Sequence, residues 1–123
     1  MKGEEKLWAI LNDKLDTLRA GNRLPEAIRV AETALDLAKR AFDNNHVSLA
    51  LSFEKLGQLL DQSGDRVAAK PYLLKAHTLL EKVEPPDQHA LYRSARRLAF
   101  SCDNLGQPEE AIRYYEKAIA AGT

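Results

Sequence analysis

The chain has 123 residues, and its 18 Lys+Arg cancel its 18 Asp+Glu. At that length one domain spanning 1–123, with a core of its own, is the expectation. Zero net charge lacks the basic excess of a nucleic-acid or membrane-surface binder, and a lone Cys102 excludes a disulfide scaffold or a cysteine-built metal site.

Met1-Lys2-Gly3-Glu4-Glu5-Lys6 opens the chain without the apolar core of a signal peptide. Helix formers dominate the chain: 19 Leu and 18 Ala stand against four Val and four Ile. The first predicted helix covers roughly 5–20 and stops at Gly21-Asn22. The second, 25–42, starts on Pro25, where the first N–H groups have no partner to lose. After Asp43-Asn44 the third runs over 45–63, and Gly64-Asp65 breaks it. The fourth is predicted over 66–83, with Pro71 one and a half turns in, so a bend or a late start is expected there. Glu84-Pro85-Pro86 separates it from the fifth, 87–105. Gly106-Gln107 precedes the sixth, 108–121, which opens on Pro108. No window reaches the length of apolar sequence that a transmembrane helix needs. A reducing, cytoplasmic setting is the simplest match to a single cysteine.

These helices repeat in pairs. Ala27, Ala69 and Ala111 step by 42 residues, and Ala34, Ala76 and Ala118 keep the same step. Gly64 and Gly106 are also 42 apart, each just before the second helix of a pair. Leu24-Pro25-Glu26-Ala27-Ile28 returns as Gln107-Pro108-Glu109-Glu110-Ala111-Ile112. The unit is a helical hairpin used three times, over approximately 4–43, 44–85 and 86–122. Small residues allow two antiparallel helices to approach closely. Gly57 and Ala99 serve this from the first helices, with Phe53, Leu56, Leu60, Leu73, Leu80, Leu98, Tyr115 and Ile119 expected as core around them. Cys102 falls where Leu60 stands one repeat earlier and reads as a small buried hydrophobe.

A first helix with Leu-Gly, a turn glycine, then two alanines seven apart resembles the tetratricopeptide repeat (TPR). Leu56-Gly57…Gly64…Ala69…Ala76 and Leu98-Ala99…Gly106…Ala111…Ala118 carry the resemblance. The 42-residue period, and starts such as Asn44-Asn45-His46-Val47 and Pro86-Asp87-Gln88-His89, look like the kinesin-light-chain subtype. Leu15 stands where the first repeat should carry a small residue. HEAT-like repeats are the structural alternative and lack the Gly/Ala pattern. The resemblance implies an all-α fold, a right-handed superhelix of three stacked antiparallel hairpins (a TPR-like α-solenoid). It also implies a concave groove lined by the first helix of each pair, holding an extended peptide.

Carried across repeat by repeat, the lining positions are Asn12, Asp13 and Asp16, then Leu51, Glu54, Lys55 and Gln58, then Arg93, Arg96, Arg97 and Phe100. Arg19, Asp61 and Asp103 lie one turn further on. The groove is expected to be bipolar, acidic in the first repeat and basic in the third. Arg93 and Arg97 share a helix face and offer planar forks for carboxylates, so an acidic protein or peptide partner is expected. The competing expectation is a solvated face, with the arginines paired to Glu54, Asp61 or Asp103. Arg93 and Arg97 match two basic positions of the carboxylate clamp of chaperone-binding TPR domains. Asn12, Asp16 and Lys55 depart from that clamp, and Asp16 would repel a carboxylate. Asp13, Lys55 and Arg97 replace the backbone-gripping asparagines of the kinesin-light-chain type.

Nothing in the sequence assembles an enzyme. The six glycines are scattered, and His46, His77 and His89 lie in different segments with no ligand spacing. The expectation is a non-enzymatic adapter with no cofactor and no metal, nucleic-acid or membrane partner. A second reading is a self-associating scaffold, a homodimer through the last helix, with a longer parent protein as the other way to cover that helix. It rests on Ile112, Tyr114, Tyr115 and Ile119, which cannot all face the preceding helix.

Overall fold

The computed structural model describes residues 3–43 and 47–122. Six α-helices run through them: α1 Gly3–Ala20, α2 Leu24–Ala41, α3 Val47–Gln62, α4 Arg66–Leu80, α5 Gln88–Asn104 and α6 Pro108–Gly122. Among the described residues there is no strand. The first residues expected in the third helix, 45 and 46, lie outside the described residues. Each helix packs on the next in the chain, and α3 also touches α5. Three hairpins therefore stack with their first helices side by side.

One turn geometry ends the first helix of every hairpin. Asn22, Gly64 and Gly106, each 42 residues from the next, have positive φ of 58°, 94° and 73°. The amide of Arg23 bonds Leu18 O at 2.8 Å, that of Asp65 bonds Leu60 O at 2.9 Å, and that of Gln107 bonds Cys102 O at 2.9 Å. The residue before each bonds the carbonyl three back. This is the Schellman arrangement, which satisfies the last carbonyls and demands a left-handed residue. Asparagine tolerates that conformation next best after glycine, so the first hairpin turns without one.

Pro71 does not delay α4, which begins at Arg66 and is capped by the Asp65 side chain on the Ala68 amide. Helix α4 ends at Leu80, short of the expected 83, in tight bonds from Lys82 to Leu79 O and from Val83 to Leu80 O. Asp87 caps α5 by accepting from the Ala90 amide at 3.0 Å.

All six register alanines are buried. At Gly57 the close approach is literal: a Cβ there would stand 2.8 Å from Leu73 Cγ and 3.2 Å from Ala69 O. The register partners of Gly57 and Leu73 are Leu15 and Ala31 in the first hairpin, and Ala99 and Tyr115 in the third. The bulky side chain changes sides, so Leu15 is a full occupant of the core and not a flaw. Leu15, Leu56, Leu59, Leu80 and Leu98 are fully buried, each contributing about 2 kcal/mol in transfer free energy. Cys102 is buried too, and desolvation pushes its thiol above the ordinary range. No described helix is long and apolar enough to cross a membrane.

Candidate functional site

The first helices α1, α3 and α5 line one face, and the predicted groove residues meet there in a ladder of polar contacts. Its centre is Glu54, only 1% exposed. Arg93 clasps it with Nε at 2.9 Å from Oε2 and a second guanidinium nitrogen at 2.9 Å from Oε1. Arg97 stands 3.4 Å from the same carboxylate and donates to Gln58 Oε1 at 2.7 Å. Arg19 donates to that same oxygen at 2.8 Å. Below, Lys55 Nζ sits 2.7 and 2.8 Å from the two oxygens of Asp16. Asp103 accepts from the Tyr115 hydroxyl at the other end.

The expected bipolar groove is therefore replaced by alternation. Charges that separate along the sequence come together across neighbouring hairpins. Asp16–Lys55, Arg19–Gln58, Glu54–Arg93 and Gln58–Arg97 are all separated by 39 residues. That is one repeat less about one helical turn, the offset at which adjacent first helices face each other. The clasp on Glu54 holds the Arg93 guanidinium above its ordinary pKa, while burial pulls that of Arg97 down. Both stay charged. Arg93 and Arg97 match the paired alternative, with Glu54 as their partner.

Arg96 differs. Among the described residues it forms no ion pair, and its guanidinium lies 5.7 Å over the Tyr92 ring. With Arg97, Phe100, Gln58 and Asp61 it lines a hollow of about 560 Å³ between α3 and α5. Phe100 is 56% exposed at this hollow. Two buried acceptors on this face, Asn12 Oδ1 and Asp61 Oδ1, have no hydrogen-bond donor among the described residues.

The four residues of the C-terminal helix split into two pairs. Tyr114 is buried, edge-on to His77 with ring centroids 6.0 Å apart, so it leaves the expected outward patch. Tyr115 packs half-buried on the second core cluster. Ile112 and Ile119 remain exposed. No group of three or more metal-ligating side chains occurs among the described residues.

Sequence reasoning missed the burial of Glu54 and the hub role of Gln58. The 39-residue pairing of complementary side chains is a signal that could have found both.

A family model for the tetratricopeptide repeat matches residues 10–82, and a second one matches residues 97–121. No curated protein matches the chain in sequence. Among solved structures, a Podosopora anserina kinesin-light-chain-like chain of nearly identical TPR-like repeats superimposes with a TM-score of 0.82 at 18% identity, covering 98% of this chain and 57% of that one. A single-substitution form of that same chain gives 0.83 with the same identity and coverage. The TPR domain of Arabidopsis FLU gives 0.80 at 18% identity, covering 95% of each chain. The chain thus spans little more than half the length of the first two. These likenesses and the 42-residue step make the fold an all-α solenoid of kinesin-light-chain-like repeats.

Proposed function

The chain belongs to the tetratricopeptide repeat family, whose fold is generally a non-enzymatic protein-interaction module, and from that premise we propose that it is an adapter holding an extended, acidic partner segment in its groove. The observation that carries this is Arg96, a cation without an ion pair among the described residues, at a hollow that also exposes Phe100. An acidic side chain gives Arg96 its carboxylate, and the hollow accepts the aliphatic stem beside Phe100. We place the module in the cytoplasm, where an unpaired thiol such as Cys102 stays reduced.

Arg93 and Arg97 are poor probes, because they hold Glu54. Arg96→Glu tests the groove without touching that clasp. Its binding to an array of extended acidic peptides, measured by fluorescence anisotropy, should weaken at least tenfold, or about 1.4 kcal/mol. Peptides with Asn and Gln in place of Asp and Glu should bind no better to the wild-type chain than to the variant. Equal binding of acidic and neutral peptides would sink the proposal.

A second reading, a self-associating scaffold, is favoured by one observation: Ile112 and Ile119 lie uncovered on α6.

A further inference from the structure

The contacts between successive hairpins fall at fixed register positions. On the leading side, two polar residues of α4 reach the third hairpin beside the packed Leu73. Lys70 Nζ stands 2.6 Å from Gln107 Oε1 and 3.1 Å from Glu110 Oε2. His77 Nδ1 lies 2.7 Å from Ser94 Oγ. The same two positions in α2 are Ile28 and Leu35, and both are packed into the core at the first junction. One step on, they are Ile112 and Ile119, which are 58% and 66% exposed.

The trailing side shows the complement. Ser52 accepts from Trp8 Nε1 of the preceding hairpin at 2.7 Å, and Ser94 meets His77. One step back from Ser52 is Ile10, 62% exposed. One step back from Leu49, which is buried, is Leu7, 48% exposed. Helices α6 and α1 therefore display apolar side chains at the register positions that fill the two internal junctions.

We infer that a second copy of this chain docks head to tail, α6 of one copy against α1 of the next, continuing the 42-residue register. This rests on the self-association reading and gives it a geometry. In that register Ile119 meets Ile10 of the second copy as His77 meets Ser94, an apolar pair where the second internal junction has a polar one. The two surfaces differ, so the contact is heterologous and does not close on a two-fold axis. Copies add end to end as an open stack.

Two exposed-site variants test this, with circular dichroism confirming that each is folded. Ile10→Glu spoils one end and Ile119→Glu the other. In sedimentation velocity, the wild-type weight-average mass should rise with concentration and pass two copies without a plateau. Each variant alone should weaken association at least tenfold, because a carboxylate would be buried without a partner. An equimolar mixture of the two should recover a one-to-one dimer and nothing larger, since one intact junction remains. A wild-type chain that stays a single copy into the millimolar range overturns both the inference and the self-association reading. An Ile10→Glu chain that still dimerises, with no rescue on mixing, overturns only the head-to-tail geometry and leaves a symmetric contact through α6.

Discussion

The two internal junctions share one register and are filled in opposite ways. Between the first and second hairpins the facing positions hold Ile28 and Leu35, both in the larger core cluster. Between the second and third they hold Lys70 and His77, each answered by a polar group on the facing hairpin: Gln107 and Glu110 for Lys70, Ser94 for His77. In the groove both junctions carry polar pairs, Asp16–Lys55 and Arg19–Gln58 at the first, and the contrast is confined to one register position. Glu54 and Arg93 form the clasp at the second junction, and their register equivalents at the first are Asn12 and Leu51. The backbone does not distinguish the two cases, because the alanines and the Schellman turns that set helix spacing are common to all hairpins. What differs is the condition attached to each junction. An apolar junction tolerates single changes of shape; a polar one requires that every buried group keep its partner.

The largest expected effect comes from breaking that condition. Arg93→Leu installs the first-junction residue at the second junction and leaves Glu54, 1% exposed, with Arg97 alone at 3.4 Å. Removing one member of a buried pair costs about 3–5 kcal/mol, and the remaining arginine keeps the loss near about 3 kcal/mol. The double variant Glu54→Asn/Arg93→Leu copies the first junction entirely and should regain most of that loss. Urea denaturation of the two variants measures the difference. A double variant as unstable as the single one would mean that the clasp itself, and not the stranded carboxylate, is what matters.

A smaller effect comes from the helix crossings inside the hairpins. Gly57→Ala would push a methyl against Leu73 and the Ala69 carbonyl. Overpacking of that kind costs about 1–3 kcal/mol, offset by up to about 1 kcal/mol of helix propensity gained on replacing glycine. A net loss of about 1–2 kcal/mol in chemical denaturation is expected. Gly57→Leu should be worse alone, and adding Leu73→Ala should rescue it, because the pair then reproduces Leu15 and Ala31. Absence of rescue would show that the backbones, not the side-chain volumes, differ between the hairpins.

That exchange of volumes explains what could be read in advance. The helix boundaries, the period and the buried alanines were legible because each rests on one residue type at one position. Leu15 looked like a departure because the motif is written for one helix, whereas packing acts on the sum across the crossing. Asn22 marks a break in the sequence, but its register role is hidden because glycine is the usual signal of a left-handed position. The groove was legible as a set of positions but not as a charge pattern. Glu54 is a charged residue at a groove position, and charged residues are rarely buried unless paired. Its burial depends on Arg93, which lies 39 residues away on another hairpin. Arg96 could not be told from Arg93 and Arg97 by spacing alone; only the place of each guanidinium separates them.

The mildest test of the contrast lies in proton linkage at the second junction. His77 is buried, and desolvation lowers its pKa from the ordinary 6.5. The groups that face it are Ser94, the Tyr114 ring, the Glu81 carboxylate at 3.3 Å and, through Glu81, Lys117. Glu81 pulls the pKa up and Lys117 pushes it down, but burial is the largest influence. The folded chain therefore resists a proton that the unfolded chain accepts. The stabilising effect of the neutral ring is complete above 6.5 and is lost as pH falls through that value towards the folded pKa. The first junction carries Leu35 at this position and has no such dependence there. His77→Leu should flatten the fall in melting temperature just below pH 6.5. Differential scanning calorimetry across that range reads the change directly. An unchanged slope in the variant would assign the dependence to another group and make the two junctions equivalent in their response to protons.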